Sequence, residues 1–324
     1  MTQSQLDLIR KMDWDYLIIL DACRYDYFEK VYRKYLKEGK LKKVISPASY
    51  TLEWAQKVFL NTKLFRNVIY ISANPYINSK KPMEGIDFRS EFKKIIDVWY
   101  SNWNDKVNTI LPRDMTKKAI ETIKKNKDSK IIIHYLQPHA PYLTDKISRI
   151  FISNFNLKKK RIRKPIIPKK IRRYYEFFIN YFFPLPILKL YWKFLIYMGA
   201  IPNNETVAFT RLSIKEWRKK YEENLEFVLK YVKELVEFIP SGKIVITADH
   251  GELLGDRFWF GYKIGHHPYL KYKELKEVPW LEIDKGKKET EGESEGKKEK
   301  KEEEYSEKDE EIIKERLRAL GYLE

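Results

Sequence analysis

Four short apolar runs stand out from an otherwise polar chain: Tyr16-Leu-Ile-Ile-Leu20, Val68-Ile-Tyr-Ile-Ser72, Lys130-Ile-Ile-Ile-His134-Tyr-Leu136 and Ile244-Val-Ile-Thr247. Each is short for a helix and too uniformly apolar for a strand with one wet face. Runs of this kind predict strands covered on both faces, as in a parallel sheet. Val44-Ile45 is a shorter run of the same type. Helical spacing fills the intervals: residues 27 to about 37, residues 52–60 with Leu52, Ala55, Val58 and Phe59 on one side, residues 113–127, and residues 212–239 with Leu225, Val228, Leu229, Val232 and Leu235 in register. Strand and helix alternate, which is the signature of an α/β fold. The tryptophan-rich stretch from 77 to 112 predicts irregular structure, and residues 312–324 predict a last helix, apolar at Ile312, Leu317 and Leu320, that docks back on the body.

Charge changes the picture in one place. The 324-residue chain carries a net charge of +18, but ten of the sixteen residues from Lys158 to Arg173 are Lys or Arg and none is acidic. That concentration points to a basic patch facing a phosphate-rich partner or an anionic membrane surface, and it disfavours a generally basic nucleic-acid-binding domain. The following residues, 174–200, are aromatic and aliphatic but interrupted by Glu176, Pro184, Pro186, Lys189 and Lys193, which argues against a spanning helix. Two readings stay open for 145–209: a lid packed on the core, or an amphipathic element making peripheral membrane contact through 158–200. The lone Cys23 makes no intramolecular disulfide, and no signal peptide or spanning run is evident, so the expected location is cytoplasmic or peripheral at the inner membrane face. Abundant Lys, Ile, Glu and Tyr suit a thermophile of archaeal type. The expected organisation is a core of residues 1–144 and 210–283, an insertion at 145–209, a charged low-complexity segment at 284–310 and a terminal helix at 311–324.

Potential chemistry collects where the apolar runs end. Asp21 follows the first, Asp249-His250-Gly251 follows the last, and all five histidines fall in three segments: His134 and His139, then His250, then His266 and His267. In a parallel sheet the carboxyl ends of the strands open onto one crevice, so these groups are expected to converge. Asp21, Asp249 and His250 offer two oxygens and one nitrogen to a divalent ion such as zinc, manganese, calcium or magnesium. An ion there would lower the pKa of a hydroxyl and offset charge on phosphoryl or sulfuryl oxygens. Thr51, at the start of a predicted helix, is the candidate nucleophile, with Ser49 and Ser46 behind it; helix capping is the competing role for such hydroxyls. His139, between Pro138 and Pro141, could donate to a substrate oxygen, and His266 and His267 could complete a second metal position or contact substrate. Arg24 and Asp26 either orient the first ligand or form a local ion pair.

The ordered set Leu20-Asp21-Ala-Cys-Arg24-Tyr-Asp26, Gln137-Pro-His139-Ala-Pro-Tyr142, Thr247-Ala-Asp249-His250-Gly251-Glu252-Leu-Leu-Gly255 and Gly265-His266-His267-Pro resembles the alkaline phosphatase/sulfatase superfamily, in particular its sulfatase-like branch. The ending Arg316-Leu-Arg-Ala-Leu-Gly-Tyr-Leu-Glu resembles tails of that branch. The resemblance implies a three-layer αβα sandwich with a central mostly parallel sheet, here with a basic and aromatic helical insertion. It also implies a metal held by Asp21, Asp249 and His250, with His266 near a possible second ion, and a covalent intermediate on a hydroxyl near Thr51, with His139 and His267 serving the substrate. The sequence departs from sulfatases in one respect: Ser49-Tyr-Thr51-Leu-Glu-Trp stands where the formylglycine motif would be, and a threonine there is similar to phosphodiesterase and phospho-group transferase members. No Asp-x-x-x-His for a second metal is evident. The implied activity is hydrolysis or transfer of phosphate or sulfate esters, the substrate an anionic ester, lipid- or glycan-linked. A non-catalytic protein that binds polyanions or a membrane surface through its basic insertion is the alternative.

Overall fold

The computed structural model describes residues 3–143, 179, 182–197, 204–256, 264–266, 270–287 and 307–320. The basic run 158–173, His267 and the low-complexity residues 288–306 therefore lie outside the described residues. In chain order the elements are β1 (Gln3–Ser4), α1 (Gln5–Arg10), β2 (Tyr16–Leu20), α2 (Tyr25–Val31), β3 (Lys40–Ile45), α3 (Thr51–Phe59), β4 (Val68–Ser72), β5 (Lys94–Asp97), α4 (Val98–Ser101), β6 (Trp103–Asn104), β7 (Thr109–Ile110), α5 (Pro112–Lys125) and β8 (Lys130–Tyr135). There follow α6 (Leu185–Tyr197), α7 (Asn204–Arg211), α8 (Ile214–Phe238), β9 (Lys243–Ala248), β10 (Leu253–Leu254), β11 (Ile264–Gly265), α9 (Lys273–Lys276), β12 (Glu277–Asp284) and α10 (Glu307–Leu320).

The uniformly apolar runs do become interior strands. All five residues of β2 are buried, and β2 pairs in parallel with β8 on one side and β9 on the other. They belong to an eight-stranded sheet of order β1-β3-β12-β9-β2-β8-β4-β5, parallel throughout except for β12, which runs antiparallel to β3 and β9. Consecutive strand residues point to opposite faces. His134 lies against Trp54 of α3, whereas the Tyr135 hydroxyl meets the Thr116 hydroxyl of α5 at 2.7 Å, so helices cover both faces. The fold is a mixed α/β structure with a large, mostly parallel central sheet between helices.

Two expectations are corrected, over 94–97 and 27–37, and one further strand appears at Glu277–Asp284. Residues 94–97, inside the stretch read as irregular, form the parallel edge strand β5. Its four residues are too few to show a period. Glu277–Asp284 becomes an interior strand although Pro279 lacks the N–H that such a strand normally donates. The Pro279 carbonyl instead accepts the Thr247 hydroxyl at 2.6 Å, and Val278, Trp280 and Leu281 are buried. The helix read from 27 to 37 is shorter, ending at Val31 and passing into a 3₁₀ turn over Tyr32–Lys34. The terminal helix does dock: Ile313, Leu317 and Leu320 join the main core, and Arg316 stacks over Trp103. No helix among the described residues is long and apolar enough to cross a membrane.

A second apolar cluster lies beside the carboxyl ends of the strands. Leu188 and Trp192 of α6 and Val207, Ala208 and Phe209 of α7 pack with Trp217 and Tyr221 of α8 and with Ala140, Tyr142, Leu254 and Ile264. The described part of the insertion is thus packed on the body.

Candidate active site

β2 and β9 are neighbours in register, Leu20 opposite Ala248, so the residues that follow them emerge side by side. Those residues are Asp21 and Asp249, both fully buried. After Asp21 the chain turns sharply: Ala22 has φ +59°, a left-handed conformation costly for a residue with a Cβ. The turn is held on both sides. The Ala22 N–H donates to Asp249 Oδ1 at 3.0 Å, and the Tyr221 hydroxyl donates to the Ala22 carbonyl at 2.6 Å. On the other strand, Gly251 leaves no room for a side chain, since a Cβ there would lie 2.0 Å from the Glu274 carbonyl oxygen. A glycine therefore seats the His250 loop against α9.

Thr51 begins α3 and is fully buried. It does not cap the helix: the residue at the cap position is Tyr50, with no side-chain cap hydrogen bond. The Thr51 hydroxyl instead donates to Asp249 Oδ2 at 2.7 Å and lies 3.3 Å from His250 Nε2. The two serines weighed against it are engaged elsewhere. Ser46 Oγ donates to the Asp249 carbonyl at 2.5 Å, and Ser49 Oγ donates to the Leu270 carbonyl.

His250 Nε2 is 3.4 Å from Asp249 Oδ2 and 3.7 Å from Asp21 Oδ1. Its Nδ1 is 2.7 Å from the Gly251 carbonyl, which can only accept, so Nδ1 carries a hydrogen and Nε2 faces the carboxylates. His139 is arranged alike, with Nδ1 2.7 Å from the Ala140 carbonyl. Three groups given no role from the sequence alone complete the arrangement. Asn74, just past β4, donates to Asp21 Oδ2 at 2.9 Å. His134, inside β8, places Nε2 3.8 Å from Asp21 Oδ2 while its Nδ1 meets the Tyr70 hydroxyl at 2.7 Å. Glu252, nearly fully buried, places Oε1 3.5 Å from His266 Nδ1. Glu252 was legible as the third residue after Asp249 and His134 as one of the five grouped histidines, whereas Asn74, in a turn, carries no such signal.

The ligand-type atoms fall into two adjoining groups, each within 4.8 Å: Asp21, His134 and Asp249, and His139, Glu252 and His266. The His250 and His266 rings, 4.7 Å apart, join them. Asp21, Thr51, Asp249 and His250 thus converge, while His266 sits with the second group. Arg24 does not reach Asp21. It pairs with Asp26 at 2.7 Å and Asp256 at 3.0 Å and bonds the Glu252 carbonyl, tying the two metal-type loops together. Cys23 is buried, and burial with the nearby Asp26 and Asp249 pushes its thiol well up, leaving it unreactive.

A divalent cation fits these residues. Two fully buried carboxylates close to one another are costly in a low-dielectric interior, and their described partners are amides, a hydroxyl and imidazoles. Burial alone would push Asp249 up, but His250 and His134, with hydrogen bonds from Thr51 and the Ala22 N–H, hold it below its ordinary value. The donor set of carboxylate oxygen, hydroxyl and imidazole suits zinc or manganese.

His134 supplies a pH test. Burial, opposed by Asp249 and reinforced by His250, lowers it from 6.5 to about 4. The folded state therefore takes up this proton later than the unfolded chain. The stability it contributes is present above pH 6.5 and is lost as pH falls toward 4, by roughly 3 kcal/mol for the metal-free protein. Urea unfolding across that window is expected to show a shallower acid loss in His134→Asn than in the parent; equal slopes would contradict the assignment.

No family model matches the chain, and no curated protein matches it. Among solved structures, it is similar to the integral membrane lipooligosaccharide phosphoethanolamine transferase A of Neisseria meningitidis at 12% identity and TM-score 0.48, over 83% of this chain and 47% of that one. It spans about half the length of that membrane protein. A zinc complex of the C-terminal periplasmic domain of EcEptC from Escherichia coli is similar at 13% identity and TM-score 0.46, over 83% of this chain and 72% of that one. A sulfatase structure from Bacteroides thetaiotaomicron, described as putative in its own name, is similar at 12% identity and TM-score 0.44, over 84% of this chain and 64% of that one. TM-scores below 0.5 carry no argument about the site, which rests on its own geometry. A protein of the alkaline phosphatase superfamily from Vibrio parahaemolyticus is similar at 11% identity and TM-score 0.39, over 84% of this chain and 60% of that one.

Proposed function

We propose that this protein is a metal-dependent enzyme that hydrolyses or transfers phosphate or sulfate esters through a covalent intermediate on Thr51. The observation that carries this reading is the buried Thr51 hydroxyl, 2.7 Å from Asp249 Oδ2, at the meeting point of Asp21, Asp249 and His250. Asp21, Thr51, Asp249 and His250 would hold one divalent ion, and Glu252 and His266 are suited to a second. When bound, such an ion supplies positive charge against the nucleophile oxygen and the anionic ester.

Thr51 Oγ1 forms a bond to the phosphorus or sulfur of the ester, and its proton passes to the side of Asp249 Oδ2, to which it is already directed. The bond to the leaving oxygen breaks, and His139 in its protonated form donates through Nε2 to that oxygen. Water or an acceptor hydroxyl then attacks the threonine ester, losing its proton to the same histidine, and Thr51 is regenerated. His266, against Glu252, lies beside His139, with ring centroids 5.2 Å apart. His267, outside the described residues, is retained as a substrate-contacting candidate. The substrate is an anionic ester, compatible with a lipid- or glycan-linked one.

The reading is tested on the full chain, stripped by chelation and reloaded with zinc, manganese, magnesium or calcium, against nitrophenyl phosphate, a nitrophenyl phosphodiester and a nitrophenyl sulfate. Turnover is expected for at least one ester and one metal and is expected to vanish on chelation. No turnover in any combination would favour the non-catalytic polyanion-binding alternative.

A further inference from the structure

Helix α6 is apolar on two sides, but only one of them is packed. Leu188 and Trp192 are buried in the cluster that also holds Ala140, Tyr142 and Ile264, with Leu185, Tyr191 and Leu195 against it. Opposite them, Ile187, Leu190, Phe194 and Tyr197 recur at intervals of three and four residues, the spacing that aligns side chains along one face of a helix. They are largely exposed, Leu190 at 69%, Phe194 at 57% and Tyr197 at 84%, and Phe182 and Phe183 extend the patch beyond the helix start. A contiguous exposed stripe of this kind is uncommon on a protein surface unless something covers it.

We infer that this stripe docks on a phospholipid bilayer carrying anionic headgroups. Thirteen helical residues span only about 20 Å, short of the roughly 30 Å hydrocarbon layer, so the helix lies in the interface plane and does not cross. Lys193 is exposed beside Phe194, and no acidic residue occurs between Phe177 and Asn204. Ten Lys or Arg residues lie between 158 and 173, immediately before this segment in sequence. An anionic bilayer offers hydrocarbon to the stripe and negative charge to Lys193 within one surface.

The position of the stripe links it to the catalytic reading, on which the next step rests. The packed side of α6 shares its cluster with Ala140, next to His139, and with Ile264, two residues before His266. A protein seated this way brings the candidate site close to the headgroup layer, so the substrate class is an ester carried on a membrane lipid.

The test is co-sedimentation of the full chain with phosphatidylcholine vesicles with and without phosphatidylglycerol. Binding to the anionic vesicles is expected, reduced about tenfold or more in the double variant Leu190→Glu/Phe194→Glu at unchanged melting temperature. Lys193→Glu, which keeps the stripe, is expected to lose part of the preference for anionic vesicles. Absence of parent binding, equal binding by the double variant, or a parent dimer that the double variant converts to monomer would overturn the inference, the last in favour of self-association. Failure of the catalytic reading is separately visible: Thr51→Ala is expected to bind vesicles like the parent, and the double variant to turn over a water-soluble nitrophenyl ester like the parent.

Discussion

Thr51→Ala is expected to lower ester turnover on the order of a thousandfold or more, while Thr51→Ser retains it within about tenfold. The alanine variant removes the only side-chain oxygen at this helix start that reaches the buried carboxylates, since Ser46 and Ser49 are committed to the Asp249 and Leu270 carbonyls. Serine keeps the oxygen and loses only a methyl group from a buried position, a change of about 1 kcal/mol in packing. The two variants should differ little in stability, so comparing turnover with urea unfolding separates chemistry from folding. Full activity in Thr51→Ala would transfer the nucleophile role to another residue. Trapping of a phosphorylated or sulfated chain in the parent and its absence in Thr51→Ala, read by mass spectrometry, is the direct check.

Removing a carboxylate should have the second large effect. Asp249 accepts from the Thr51 hydroxyl and from the Ala22 and His250 N–H groups, all buried. Asp249→Ala leaves these donors without their partner, at about 1–3 kcal/mol for each buried group. Asp249→Asn and Asp21→Asn keep the shape and remove the charge. Each is expected to weaken binding of zinc or manganese on the order of a hundredfold or more, since loss of even a supporting group around a metal costs 10–100-fold. In the parent, adding the metal to chelated protein should raise the melting temperature in a concentration-dependent way, because the ion binds the folded state alone. Metal analysis of the purified proteins and thermal unfolding with added metal check both statements. An unchanged metal content in both asparagine variants would remove the ion from this site.

These outcomes bear on neighbouring groups. Asn74 and His134 touch Asp21 on the side away from His250, so they fix the carboxylate that a metal would share with Asp249. His134 in turn is held by Tyr70, whose hydroxyl is pushed well up by burial and by the nearby Asp249 and Asp21. The result is a buried polar row running from β4 through β8 to β2, supporting one side of the candidate site.

The sequence by itself determined the parallel interior of the sheet, because strands covered on both faces are apolar almost throughout, as β2, β4, β8 and β9 are apart from positions such as Ser72, His134 and Thr247. It also determined which residues leave the ends of those strands, since Asp21 and Asp249 directly follow or nearly follow the apolar runs. What a linear pattern cannot carry is adjacency between strands distant in the chain. Whether Asp21, Thr51 and Asp249 meet depends on β2 lying between β8 and β9, and that order comes from packing among all the elements. The antiparallel β12, with Pro279 inside it, was hidden for the same reason: its missing N–H matters only once the Thr247 hydroxyl is known to reach its carbonyl. Tertiary structure alone also showed that Thr51 does not cap its helix, by placing Asp249 Oδ2 2.7 Å from its hydroxyl. It likewise decided that α6 packs one apolar side and leaves the other in solvent, a distinction invisible in a helix whose sequence is apolar on both.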